Sequence, residues 1–220
     1  MNFLFQILLN APPLLIAVIL HEVAHGYIAL KLGDPTAKML GRISLNPIKH
    51  IDPVMTLLVP FMLIMAKSPV VFGGAKPVPV DPRYFKNPRQ GMAIVAIAGP
   101  ITNFLLATFF YGLHLLFISI LKEIPASETS QIFHLILFVV GFWIDSSILI
   151  NIVLGLFNLL PVPPLDGGRI LVGVLPLELA RKWAKLERWG LPIVVLLIYS
   201  GAVNNLLAPL IELVLEHLKN

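Results

Sequence analysis

The sequence predicts an all-α multi-pass membrane protein with about four transmembrane helices, a re-entrant or interfacial segment and a short extended, β-like region. Three observations carry that expectation. Hydrophobic residues make up 57% of the 220 positions and charged residues only 13%, the balance of a chain whose solvent is lipid. Four apolar stretches, at residues 3–32, 92–121, 132–160 and 191–215, are long enough to cross roughly 30 Å of hydrocarbon as helices, and a fifth at 54–65 is too short. Prolines gather between the stretches, at 73–88 and 161–164, where helices must break.

In the first stretch, Pro12 and Pro13 fit best in an opening turn, so a regular helix is expected from there to about Lys31, with His21 near mid-membrane. No basic residue precedes the stretch, and it leads straight into His21. Processing as a signal sequence would behead that region, so the segment is expected to be retained.

Lys31, Lys38, Arg42 and Lys49 precede the short stretch, and Lys67, Lys76, Arg83, Lys86 and Arg89 follow it, so both its flanks read as cytoplasmic. The stretch then dips in and returns, which puts the basic segment 169–188 on the cytoplasmic side and the sparse loop 122–131 outside. The net charge of +4 reflects this clustering and points to membrane orientation, with no nucleic-acid partner expected. Cysteine is absent, which excludes disulfides and leaves the redox compartment unread.

Residues 73–88, with Pro77, Pro79, Pro82 and Pro88 among Val78, Val80 and Tyr84, read as extended chain. Such backbone persists at membrane depth only where protein or a watery cavity covers it. There is no internal repeat and no low-complexity tract. A single domain over residues 1–220 is expected.

His21-Glu22-Val23-Ala24-His25 carries the most specific chemistry. On a helix the two histidines fall four residues apart on one face, suited to share a small cation, and Glu22 is offset to reach water on it. Polar groups in mid-span are costly unless they have partners, roughly 2–3 kcal/mol or more for a charge, which favours a functional site over idle histidines. A catalytic zinc needs a third protein ligand and an open fourth position. Ile28 and Lys31 stand where soluble enzymes continue the motif, so that ligand must come from elsewhere.

The candidates are Asp34, Asp52, Asp145 and Asp166. Asp34 and Asp52 each precede a proline and suit turns or caps. Asp145 interrupts an apolar span, or marks its outer boundary. If the chain between Asp145 and Asp166 is helical the two lie about 31 Å apart and cannot share a site. With residues 54–65 re-entrant, Asp166 falls in the cytoplasmic half toward which His25 points, and the prolines before it and glycines after it let the chain turn a carboxylate inward. Asn103 and Asn158 are polar groups in apolar runs, open to interhelical hydrogen bonding or to catalysis. His114, His134 and His217 lie near span boundaries and are assigned no chemistry.

Four segments in order resemble the site-2 protease family of intramembrane zinc metalloproteases, in its compact bacterial-type branch without added soluble domains: His21 through Gly26, Gly41-Arg42-Ile43-Ser44-Leu45-Asn46-Pro47, Ala98-Gly99-Pro100-Ile101-Thr102-Asn103, and Asn158 through Arg169 with its Asp166-Gly167-Gly168. The resemblance implies one zinc ion bound by His21, His25 and Asp166, with Glu22 as catalytic acid/base and Asn103 and Asn158 near the peptide or the developing oxyanion. It further implies regulated intramembrane proteolysis: hydrolysis of peptide bonds in or beside the transmembrane segments of substrate proteins, in a bacterial cell membrane, with the active site toward the cytoplasm. The lipid bilayer and membrane-protein substrates are the expected partners, while an oligomer or a regulatory partner is not readable. A transporter, or a relative that binds membrane helices without cutting them, is the alternative. The first would commonly show inverted repeats, which are missing here, and the second would be expected to lose Glu22 or a ligand.

Overall fold

The computed structural model describes residues 3–65, 73–124 and 130–219. Lys67 and most of the loop expected outside, residues 125–129, therefore lie outside the described residues. Among the described residues the protein is all-helical and forms no strand. Three helices are long and apolar enough to cross a membrane: α1 (Phe3–Lys31), α4 (Pro88–Glu123) and α5 (Gln131–Asn158). Between α1 and α4 come two short helices, α2 (Thr36–Met39) and α3 (Val59–Met65), the latter continuing a π-helical turn at Pro53–Leu58. After α5 come α6 (Asp166–Val174), α7 (Leu177–Ala184), α8 (Gly190–Tyr199) and α9 (Ala202–Lys219).

The bundle is organised around α4, which packs against α1, α5 and α6. Five of the nine residues it buries are glycine or alanine, Gly91, Ala96, Ala98, Gly99 and Ala107. Small residues let helix backbones approach closely, the usual basis of packing where lipid removes the hydrophobic drive. Leu105, Phe109 and Leu116 on the same helix stay exposed, as lipid-facing side chains do. At about 1.5 Å per residue, the 36 residues of α4 run about 54 Å, well beyond a bilayer's hydrocarbon thickness.

Local chemistry sets the boundaries. Asn87 accepts from the Gln90 N–H ahead of α4, with Pro88 in the first helical turn, and Ser130 accepts from the Phe133 N–H ahead of α5. Asp52 receives the N–H groups of Val54 and Met55, the cap role its sequence context suggested.

Three expectations need correction. Helix α1 does not begin after the prolines but runs through Pro12 and Pro13; Pro13 is fully buried, and packing against neighbours tolerates the missing N–H groups in membrane helices. The last apolar stretch is not one straight helix. It breaks at Ser200 and Gly201, where Gly201 takes φ 76°, and the chain from Leu177 to Tyr199 meets that from Ala202 to Leu218 at 63°, so a count of four spans holds only if this bent pair is one crossing. The non-helical segment is also interrupted: residues 73–81 lack regular structure, a 3₁₀ turn follows at Pro82–Tyr84, and a bend at 85–87 leads into α4 at Pro88.

That segment is tied down by polar groups from all around it. Gly74 N–H donates to Met55 O, Lys76 N–H to His50 O, and the Arg42 guanidinium to Lys76 O. Asp34, fully buried at the end of α1, accepts from Asp81 N–H at 2.7 Å and from the Thr36 N–H and hydroxyl. Regular structure is replaced here by scattered backbone and side-chain partners, as buried backbone groups require.

Candidate metal centre

On α1, His21 and His25 are one turn apart and both buried, and their Nε2 atoms lie 3.0 Å from each other. Asp166, the first residue of α6, is also buried; its Oδ2 stands 3.1 Å from His21 Nε2 and 3.3 Å from His25 Nε2. Among the described residues these three form the one group of histidine and carboxylate side chains with ligand spacing. Asp34, Asp52 and Asp145 do not join it.

Two local features bring the groups together. The chain leaves α5 at Leu159 and turns through residues 160–165 before α6 begins. Gly167 sits so close to the carbonyls of Leu159 and Leu160 that a Cβ would overlap both; this swings Asp166 back over the end of α5. On α4, a Cβ at Gly99 would fall 2.6 Å from His21 Nε2 and 2.6 Å from His25 Cε1, so only glycine leaves room for both rings.

Hydrogen bonding then decides which ring nitrogens are available. His25 Nδ1 lies 2.8 Å from the Val95 carbonyl, which can only accept, so that nitrogen carries the proton. His21 Nδ1 lies 2.6 Å from the side-chain oxygen of Asn103. The Asn103 amide is oriented by its nitrogen, which donates to Asn151 Oδ1 at 2.9 Å, and the Asn151 nitrogen donates in turn to Ser147 O. Both Nδ1 atoms are thus donors and both Nε2 atoms of the neutral rings present lone pairs. Asp166 Oδ2 is buried and finds no hydrogen-bond donor. Three lone-pair atoms within 3.3 Å of one another, with no proton among them, repel unless a cation lies between them. At zinc bond lengths of about 2.0–2.2 Å, ligand atoms of a tetrahedral site stand about 3.3–3.6 Å apart, a few tenths of an ångström wider than the 3.0–3.3 Å found here. The donor set and its spacing fit zinc.

Glu22 stands beside the cluster, with Oε2 accepting the Val78 N–H at 2.8 Å. A cavity of about 310 Å³ lies against these groups, lined among others by Glu22, His25, Val78, Asn158, Asp166 and Arg169. Asn158 is on its wall, with Nδ2 bonded to Leu154 O. Asn103 is placed differently from the expectation. It is fully buried behind His21 and does not line the cavity, and its side-chain oxygen faces the His21 ring. The sequence reading missed Asn151, also fully buried; an amide in an apolar run, the same signal that singled out Asn103, marks it. Asp145 belongs to another cluster, accepting from buried His114 on α4 at 2.7 Å.

A His–His–Asp cluster with an adjacent glutamate, set in an apolar helical bundle, defines the class of zinc metallopeptidases embedded in membrane helices. The chain belongs to peptidase family M50, the site-2 protease family: the family model matches residues 118–200, which include Asn158 and Asp166, and likeness to relatives extends over nearly the whole chain. YwhC of Bacillus subtilis is 38% identical over 215 residues, covering 96% of this chain and 91% of that protein. Rip2 of Mycolicibacterium smegmatis is 32% identical over 194 residues, 87% of this chain and 66% of its own length. Both carry the provisional designation zinc metalloprotease. The zinc metalloprotease MJ0392 of Methanocaldococcus jannaschii is 29% identical over 162 residues, which is 33% of its length. No solved structure matches the chain significantly. The protein is a membrane-associated zinc metalloprotease by family, and its cofactor is zinc.

Proposed function

We propose that this enzyme cleaves peptide bonds in or next to membrane-spanning segments of substrate proteins, as one domain over residues 1–220, with His21, His25 and Asp166 as zinc ligands and Glu22 as general base. One observation supports the reading above others: three buried lone-pair atoms from α1 and α6 meet without a proton among apolar helices. Zinc in such a site supplies Lewis acidity, polarising a carbonyl and acidifying water. Glu22 takes a proton from the attacking water as the new C–O bond forms, and returns it to the peptide nitrogen as the C–N bond breaks. Val78 N–H holds Oε2 of that carboxylate, leaving Oε1 to carry the proton. Asn158, on the cavity wall, donates toward the peptide once its bond to Leu154 O is exchanged.

A helix hides its carbonyls, so the substrate segment must be unwound to be cut. Residues 75–80 run along the cavity outside any sheet, and their backbone groups not already bonded by neighbours are offered to an extended peptide, in the manner of strand addition. Pro77 and Pro79 have no N–H to give, so this chain contributes mainly carbonyl acceptors there. The basic residues that flank 53–65 favour a multi-pass arrangement in which that segment is re-entrant and the metal centre faces the cytoplasmic half.

The test pairs two measurements on purified protein. Glu22→Gln should keep stoichiometric zinc while losing cleavage of a single-span reporter, and Asp166→Ala should lose both. Full turnover by Glu22→Gln would overturn the assignment of the base, and full zinc in Asp166→Ala that of the ligand.

A further inference from the structure

The metal cavity does not end at the ligands. A second cavity, of about 410 Å³, shares His21, Glu22, Met55, Ala75, Asn158 and Pro164 with it and extends away between α1, α5 and α8. Beyond that shared wall the two differ in chemistry. The metal cavity reaches Arg169, whereas the second is bounded by Val18, Leu154, Phe157, Leu191, Val194 and Ile198. No charged side chain other than those of the shared wall lines it. It exists because α8 packs on α9 and on the turn before it, not closely on α1 or α5, so three apolar helix faces are left looking at one another beside Glu22.

A peptide lying across the zinc ligands has its scissile carbonyl near Glu22, and the side chain on one side of that bond must enter this space. We propose that the second cavity is the selectivity pocket of the enzyme, taking a large aliphatic or aromatic side chain from the substrate residue adjoining the scissile bond, with Val18, Phe157 and Val194 as its determining walls. The inference rests on the reading of His21, Glu22, His25 and Asp166 as the peptidase centre. The lining carries it: an apolar cleft gains from burying a large side chain and rejects a charge or leaves a void around glycine. Discrimination of Leu or Phe over Gly of at least about 10-fold is the scale such pockets reach.

Two arms test the pocket on the full-length protein in nanodiscs. In the first, a single-span reporter is cut, its cleavage site mapped by mass spectrometry, and each adjoining residue varied among Leu, Phe, Ala, Gly and Lys. One of the two positions should prefer Leu or Phe. Val194→Trp or Val18→Trp, which fill the space, should shift that preference toward Ala or Gly by about 10-fold or more in kcat/KM, with zinc content unchanged, whereas Val194→Ala should retain it. A tryptophan variant that still cuts with the original preference would overturn the proposal. In the second arm, benzoylphenylalanine is scanned through a synthetic single-span peptide and photo-crosslinked to Glu22→Gln protein. At least one position should label Phe157, Val194 or Ile198, and Val194→Trp should abolish that adduct; adducts confined to other residues would overturn the pocket. A reporter left whole by the wild type, with those adducts present, supports the pocket and counts against the peptidase reading alone.

Discussion

His21 is held by Asn103: its Nδ1 proton goes to the asparagine oxygen 2.6 Å away, and Asn103 is locked in turn by Asn151 on the neighbouring helix. The relay reaches from α5 through α4 to α1 and leaves the lone pair of His21 Nε2 facing His25 and Asp166. Partners of this kind fix ring orientation and tautomer, and their loss typically weakens metal binding about 10–100-fold. Asn103→Ala should therefore lower zinc affinity by about that factor, and Asn151→Ala by less, as read by competition with a chelator of known affinity. Unchanged zinc affinity in Asn103→Ala would mean the relay is only structural.

Gly99→Ala separates helix propensity from the site. Alanine is favoured over glycine in a helix interior by about 1 kcal/mol, yet its Cβ would press on both histidine rings. The variant should keep its helical circular dichroism and lose most of its zinc.

Asp34 is expected to govern the chain beside the cavity. Its carboxylate gathers the Asp81 N–H and two groups of Thr36, and leaving such donors unmatched costs about 1–3 kcal/mol. Asp34→Ala should speed amide exchange around residues 78–81 by about 10-fold or more while zinc content stays near wild type. Equal exchange in the two proteins would show that Arg42, His50 and Glu22 hold this segment without it.

The pair of His114 and Asp145 joins α4 to α5 away from the zinc ligands. Removing His114 leaves the half-exposed Asp145 without its partner, at a cost of about 0.5–1.5 kcal/mol for the lost hydrogen bond. His114→Leu should destabilise the protein by about that much. His114→Leu with Asp145→Leu should recover most of the loss, because exchanging both polar partners for apolar ones is near neutral. Thermal unfolding in one detergent measures the cycle, and no variant should alter zinc stoichiometry.

Much of this was legible in the chain alone. The spacing of His21 and His25 named one face of a helix, and the expected topology, with the prolines and glycines around Asp166, favoured it over the other acids. The sequence misled where the answer lay in neighbours. Pro12 and Pro13 look like a helix start because the rule for proline is local, but packing around buried Pro13 carries α1 through them. The stretch 191–215 reads as one span because hydropathy is blind to a bend, and the bend sits at Gly201. For Asn103 the sequence left interhelical hydrogen bonding and a place near the peptide or oxyanion both open, because its motif says only that an amide is there, not which way it points.

By itself the sequence determined the class of solvent, the approximate spans and the placing of His21 and His25 on one helix face, because hydrophobic length and the 3.6-residue helical period are properties of contiguous chain. Only the tertiary structure decided that Oδ2 of Asp166 meets both Nε2 atoms, that Asn151 stands behind Asn103, that Val78 holds Glu22 and that an apolar cavity opens beside them. Those relationships join residues 48 to 145 positions apart. Close packing sets them, through the room left by Gly99 and Gly167, and no local pattern encodes that room.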